Sequence, residues 1–446
     1  MNESIGGTPR LMSPQRNQVE LRACDLEALL ADDHPARTVW AFVQALDLAP
    51  LYARIKSVSG RGGAPAIDPA ILVALWLWAT IDGVGSAREV DRLCERDDAY
   101  RWICGGVGVN YHSLADFRTE HEGWLDAQLT RSIASLLDRN LVTLNVVAQD
   151  GLRVRAAAKA ASFRRRDKLA ELHAQAQAQV LALKKELTED AGASSRRKQA
   201  ARERAARERE QRLAAALATM DKIKPAREPK KPKPSKRRGR GNNDSGPPGG
   251  VAAKPEPEPR VSTTDAQARV MKMADGGFRP AFNAQLAVDA DTQLIAAVAV
   301  VNSGSDMRQM DPMHQAVQQR YGLTPSHWLA DGGFTKLEAI EALTERGTQP
   351  IVPVPASRNS QIDPMKPKAS DTPAQALWRQ LMGDDWAKDL YVWRAATIEC
   401  ANAQLRRRGL TQLNVRGLIK ARAVLLWHAL AHNLMRMRSL GIALPA

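Results

Sequence analysis

From Asp25 to about Asn140 the apolar positions recur at three- and four-residue spacings, the period of an α-helix. A helix is expected from His34-Pro35, with Val39, Trp40, Phe42, Val43 and Leu46 on its apolar side. A GRGGAP turn (60–65) follows, and Pro69 then opens a helix whose core, AILVALWLWATI (70–81), is apolar all round. Gly83 and Gly85 end it. That run is too short to cross a bilayer and reads as a buried helix, with Trp40, Trp76 and Trp78 as core residues. Three more helices are expected over 87–96, 98–103 and 113–137, the last opening on Ser113-Leu114-Ala115-Asp116, the arrangement of a capping box. A short helix, a glycine turn (Gly105, Gly106, Gly108) and a capped helix fit a helix-turn-helix reader that presents Arg118 to DNA. A plain supporting bundle fits the same pattern.

The period changes at Leu144. A buried strand over 144–147 leads to Asp150, and its partners come only at 282–288 and 294–301, an antiparallel pair joined by a turn over 289–293. Between them lies an insertion of about 120 residues. Its first part, with Leu169, Leu172, Val180, Leu183 and Leu187 near heptad spacing, predicts a helical hairpin over 164–222 that turns at AGASS (191–195). Its second part, 223–260, is rich in Pro, Gly and Lys and has almost nothing to bury, so it is expected to be disordered. After the strand pair the pattern predicts a helix over 309–319, a strand over 326–330 ending at Asp331, a helix over 336–346 and a strand over 351–354. A loop over 357–375 precedes continuous helix from Leu377 to the end, including the stripe Leu418, Val424, Leu425, Leu430 and Leu434.

Composition adds two constraints. The 446 residues are 44% hydrophobic, enough for a sizeable core and two or three domains. The net charge of +15 points to a polyanionic partner. It is concentrated: between Arg196 and Arg240 there are 18 Lys or Arg against 5 Asp or Glu, which leaves only +2 for the rest. Lys236, Arg237 and Arg238 in this stretch are expected to hold DNA phosphates without reading sequence. Cys24, Cys94, Cys104 and Cys400 form no CxxC pair, which fits a reducing cytoplasm and argues against both a disulfide framework and a zinc knuckle. The chain shows neither a signal-peptide pattern nor a membrane span.

Three acids carry the candidate chemistry: Asp150 and Asp331 after short apolar runs, and Glu399 in a helical stretch with Arg394, Arg406, Arg407 and Arg408 around it. Carboxylates held close together need a counter-charge, and their hard oxygens suit Mg²⁺, with Mn²⁺ as an alternative. A metal pair can drive in-line displacement at phosphorus. Asp289 is a rival ligand, although the Asp-Ala-Asp-Thr sequence is adequate turn chemistry. His428 and His432 have the i, i+4 spacing of a zinc pair but no third ligand nearby. Gly60-Arg61-Gly62-Gly63 is not followed by GK[ST], so no nucleotide cofactor is indicated.

The order strand–Asp, strand, strand, helix, strand–Asp, helix–Glu is that of a ribonuclease-H-like core. With the segments HPARTVWAFV (34–43), RWICGG (101–106), NYHSLADFR (110–118), QDGLRVRA (149–156), STTDAQARVM (262–271), DGGFRPAFNAQLAVD (275–289), LADGGF (329–334) and AHNLMRM (431–437), the chain resembles a bacterial insertion-sequence transposase of the DDE class. The resemblance implies an α/β fold: a mixed five-stranded sheet over 141–446, interrupted by the insertion over 160–262 and preceded by an all-α domain over 23–140 that binds DNA or supports the core. It further implies that Asp150, Asp331 and Glu399 hold Mg²⁺, and that Tyr391, Arg394 and Arg406 match a Tyr–Arg–Glu–Lys signature and contact DNA. Two departures stand out. Four residues rather than the usual three separate Arg394 from Glu399, and Arg406 stands where lysine is usual. The implied activity is metal-dependent cleavage of the element's ends followed by strand transfer into double-stranded target DNA. A bacterial, cytoplasmic, nucleoid-associated protein that is at least dimeric on DNA is expected. A nuclease on the same fold, or a non-catalytic DNA-binding remnant, would share much of this pattern.

Overall fold

The computed structural model describes residues 17, 25–58, 64–189, 193–223, 258–357, 361 and 363–443. The extreme N-terminus, most of the 60–65 turn, the 190–192 part of the hairpin turn and nearly all of the basic linker, Lys236, Arg237 and Arg238 included, lie outside those residues.

Seven helices come first: α1 (Pro35–Gln44), α2 (Ala49–Tyr52), α3 (Pro69–Ile81), α4 (Ala87–Arg96), α5 (Asp98–Cys104), α6 (Tyr111–Glu120) and α7 (Glu122–Asp138). The α3 helix is buried over nearly its whole length, as its unbroken apolar run demands, and Asp68 caps it by accepting from the Ala70 amide. The expected single helix over 113–137 is two helices that meet at His121. Its expected cap is also displaced. Asn110 is the N-cap residue and its side chain accepts from Ser113 N at 2.9 Å, which places Ser113 inside the first turn.

The sheet is built on β1 (Val146–Arg155), which pairs with one neighbour along nearly its whole length and with a second over Val146–Ala148. After it come the short strands β2 (Phe163–Arg164) and β3 (Val261–Ser262), which pair antiparallel and clamp the two ends of the insertion. The strands β4 (Arg269–Lys272), β5 (Phe278–Asp289), β6 (Ile295–Val301), β7 (His327–Leu329) and β8 (Gln349–Ile351) complete the main sheet. Its order is β4-β5-β1-β7-β8, with β6 sharing the outer edge of β5 with β4. The β1–β5, β4–β5 and β5–β6 pairs are antiparallel, and β1–β7 and β7–β8 are parallel. This is the ribonuclease-H-like sheet with one extra short strand, β4.

Three strand boundaries differ from expectation. β1 continues five residues past Asp150, because GLRVR stays paired with β5 as far as Arg155–Ala281. β5 starts at Phe278, which gives β4 an edge to pair with. β8 lies over 349–351 rather than 351–354, where parallel pairing to β7 holds it.

The insertion is a helical hairpin of α8 (Arg166–Glu189) and α9 (Ala193–Lys222), the second starting inside the expected turn. Leu169, Ala176, Leu213, Ala216, Met220 and Val261 form its own small core, separate from the main one. Beyond β6 the chain forms α10 (Met310–Tyr321), α11 (Leu337–Glu345), α12 (Pro373–Gly383), α13 (Asp385–Arg394), α14 (Cys400–Arg407) and α15 (Leu418–Ser439). The expected continuous C-terminal helix is broken at Asp384, where the backbone is extended between α12 and α13, and again over 408–417. There Gly409 and Gly417 take left-handed φ values of 88° and 86°, and the loop bonds to the end of β1 through Arg155 N to Thr411 O and Leu413 N to Arg155 O. The buried α15 then unites the molecule. One apolar core runs from Leu30 to Met437, and Arg422 on α15 pairs with Glu122 and, at 2.7 Å, with Asp126 of α7.

Candidate active site

Parallel pairing sets Asp150 and Asp331 side by side. The last β1–β7 pair is Ala148 with Leu329, and each aspartate follows two residues beyond it. At that level β7 has already ended. Asp331 caps the short turn of Gly332–Phe334 by accepting from Gly333 N at 2.8 Å. Asp150 is fixed by Gly151 N at 2.8 Å and by Asn402 Nδ2 at 2.9 Å. Burial pushes its carboxyl up to about 6, with the Gly151 amide opposing and the Asp331 carboxylate adding to the rise.

Gly151 is required for a steric reason. A Cβ there would meet Gln285 Nε2 at 2.6 Å and Asn283 Oδ1 at 2.8 Å, and it would collide with Asp306. These side chains form a polar seam on the sheet face opposite Asp150. Asp306 accepts from Asn283, Gln285 and Arg153, while Gln149 bonds Gln285 and Trp328. The seam holds β1 straight behind the acids.

Glu399 closes a five-residue π-helical segment, Ala395–Glu399, inserted between α13 and α14. A π turn bonds i to i+5 and so accommodates one residue more than an α turn. The extra residue between Arg394 and Glu399 is absorbed here, and the two side chains still meet at 3.7 Å, as an i, i+4 pair would. The sheet pins the segment: Thr397 Oγ1 donates to Ala290 O at 3.3 Å, and Ile398 is fully buried. Asn402 stands three residues after Glu399 and docks the start of α14 on Asp150. The Glu399 side chain is 66% exposed and turned toward Arg394.

Arg394 lies over the Tyr391 ring at 5.5 Å, with its Nε buried and without a hydrogen-bond partner. Arg406 lines an open cavity with Gly151, Arg153, Arg155 and Arg279 at the far end of β1. Arg118 is a different case. It is only 7% exposed, its guanidinium lies over Trp76 at 4.6 Å, and Nη1 donates to Gly85 O at 2.6 Å. It belongs to the packing between α6, α3 and α15 rather than to an outward-facing reading helix, a placement that helical spacing alone did not disclose. Asp289 is buried at the β5–β6 turn, where it accepts from Thr292 N and Thr292 Oγ1. His428 and His432 are both buried in α15, and the ring of His432 meets Gln293 O.

The sequence reading missed Asn402. The i, i+3 spacing from Glu399 was the available signal, but an asparagine in an Arg-rich helix carries no chemical flag. Its Oδ1 is buried and has no hydrogen-bond partner. Among the described residues no group of three His, Cys, Asp or Glu side chains converges on one point, since Glu399 faces Arg394 instead. The donors nevertheless fit a hard divalent cation. Two oxygen-bearing carboxylates lie side by side, one of them desolvated, with an orphaned amide oxygen next to it.

Two family models match the chain: a Transposase DDE domain over residues 252–434 and a Transposase domain (DUF772) over residues 24–120. The first contains Asp331 and Glu399, and the second covers most of the N-terminal helices. No curated protein and no solved structure gives a significant match. With the helical N-terminal segment, the ribonuclease-H-like sheet and both models in agreement, the chain belongs to the DDE transposases of the bacterial insertion-sequence type.

Proposed function

We propose that the protein cuts the ends of its insertion sequence and joins the freed 3′-hydroxyl to target DNA, with Asp150, Asp331 and Glu399 as the ligands of Mg²⁺ or Mn²⁺. The observation that carries this reading is the parallel register that brings Asp150 level with Asp331, with the Glu399 helix docked against the same strand through Asn402. When bound, the metal would activate the attacking water or hydroxyl and neutralise charge developing at phosphorus. The protein's own part is positional. Asn402 fixes the Asp150 rotamer, Asp331 is fixed by the Gly333 amide, and Arg394 holds Glu399 until DNA phosphate competes for the guanidinium. Tyr391 and Arg406 flank the path as contacts to the DNA backbone, and Lys236, Arg237 and Arg238 add non-specific grip. In this reading residues 23–140 form the N-terminal helical domain and 141–446 the catalytic domain, with 160–262 as an insertion. Holding two element ends together calls for at least a dimer on DNA.

Cleavage of a labelled duplex carrying the element's own end tests the assignment. Wild type should cut with Mg²⁺ and not with EDTA, while Asp150→Asn, Asp331→Asn and Glu399→Gln bind but lose at least about 10²-fold in rate, the loss expected when one electrostatic group at phosphorus is removed. Variants that cut like wild type would show the acids to be misassigned. Cutting without joined products would make the protein a nuclease.

A further inference from the structure

A second cationic site lies away from the acids; of its arginines, Arg118 and Arg155 fall in segments that carry the family resemblance and Arg408 does not. The turn between α3 and α4 meets the 408–417 loop so closely that a Cβ at Gly409 would stand 2.9 Å from Gly83 O, and both glycines have left-handed φ. Beside this contact is a cavity of about 310 Å³, lined by Arg118, Arg155, Arg408, Asn414 and His428 and by the backbone of both turns. No aspartate or glutamate lines it. Arg118 is buried at 7% exposure, its Nε has no hydrogen-bond partner, and no carboxylate lies within ion-pair distance of it among the described residues. The buried His428 Nδ1 is likewise without a partner. Arg408 has only His432 Nδ1, at 3.5 Å.

A buried guanidinium without a counter-ion is costly, and here the buried Arg118 shares one cavity with the half-buried Arg408 and the exposed Arg155, an arrangement that suits an anion. We propose that this cavity is a phosphate site that seats one phosphodiester of the DNA substrate. The guanidinium forks of Arg118 and Arg408 suit the oxygens of a phosphate, and Asn414, whose Nδ2 donates to Gly85 O at 3.4 Å, stands beside Arg118 at the mouth. The cavity also adjoins the open one that Arg406 lines. Arg155, Leu410 and Thr411 line both it and the open cavity that holds Gly151, Arg153 and Arg406. Five residues of β1 separate Asp150 from Arg155, roughly 17 Å. The choice of DNA as its source rests on the transposase reading above; the anion chemistry does not.

The test is thermal melting of the full-length protein with inorganic phosphate titrated at constant ionic strength against chloride, followed by binding of the end duplex. Phosphate should raise the wild-type Tm saturably, and Arg408→Gln should weaken that response about tenfold, the value of one charge-assisted hydrogen bond. Asn414→Asp places a carboxylate at the exposed mouth, so it should raise the Tm without phosphate and abolish the response to it. The duplex should displace phosphate. A neutral methylphosphonate at one position of the duplex should weaken wild-type binding about tenfold yet leave Asn414→Asp binding unchanged. A wild type without a saturable phosphate response, or an Asn414→Asp variant that responds like wild type, overturns the site. A normal phosphate response with no sensitive position in the duplex overturns the DNA assignment and makes free phosphate the occupant, whatever the cleavage assay shows.

Discussion

Asp150 is held at a cost that its neighbours do not relieve. Its carboxyl is pushed up to about 6, mainly by burial, while the chain unfolded would titrate it near 4. The sign follows from proton counting: between these values the folded state binds more protons than the unfolded one, so stability falls as pH rises through that window and stays lower above it. Asp150→Asn removes the ionisable group. In EDTA it is expected to raise stability at pH 7.5 by on the order of 2 kcal/mol and to change little at pH 4, as read from paired melts of variant and wild type at the two pH values. Mg²⁺ should reverse the order at pH 7.5, because the cation stabilises wild type and has lost a ligand in the variant. A variant less stable than wild type in EDTA at both pH values would show that the Asn402 and Gly151 contacts outweigh the desolvation. Arg118 shows the limit of reading at this scale. Its place on an early helical face is legible in the sequence, but which side of that face meets α15 depends on partners some 300 residues away, among them Trp427, whose indole donates to Arg118 O.

At the scale of elements, the π turn reconciles an irregular signature with a regular site. The sequence shows one residue too many between Arg394 and Glu399, and on an α-helix that residue would rotate the glutamate about 100° from its neighbour. The structure places the surplus in Ala395–Glu399, where Ala395 and Ala396 face outward and Thr397 and Ile398 are anchored on the sheet. Deleting Ala396 is therefore expected to leave an ordinary α turn, with Arg394 and Glu399 still paired and both the Mg²⁺-induced rise in Tm and cleavage kept within about tenfold of wild type. Inserting an alanine after Ala396 adds a residue that no single π turn absorbs. It should abolish cleavage while the protein still melts cooperatively. Equal loss in both variants would mean that the spacing itself, not the facing of the two side chains, is what the site needs. The same reasoning explains which elements were legible. The presence of the apolar helices and strands was legible, while the break at His121 and those in the C-terminal helix were not. β4 was not either, because Arg269–Lys272 is half polar and becomes a strand only when the edge of β5 is there to pair with it. The loop over 408–417 was hidden for a similar reason, since its hydrogen bonds go to Arg155, far away in sequence.

Across the whole molecule, the charge and the core are arranged separately. The main apolar core joins the N-terminal helices, the sheet and α15, whereas the hairpin of α8 and α9 packs on a small core of its own. The two-residue ladder of β2 with β3 brings the ends of the insertion together, Phe163 opposite Ser262 and Arg164 opposite Val261. Because the cationic stretch 196–240 belongs to the insertion and carries nearly all of the net charge, removal of the insertion should separate grip from chemistry. A chain in which residues 166–258 are replaced by a short Gly-Ser turn is expected to keep a cooperative melt and its stabilisation by Mg²⁺. What is lost is the hairpin's own packing and its cover over Val261 of β3, and a loop between two already paired strand ends closes at small entropic cost. DNA affinity should fall, and the slope of log K against log salt should become shallower by nearly one for each phosphate contact removed. Binding isotherms for the end duplex between 50 and 200 mM salt, on the order of the range over which counterion release is resolved, measure that slope directly. An unchanged slope would assign the DNA grip to the arginines along β1 and α14 instead, Arg153, Arg155 and Arg406, which line one open cavity.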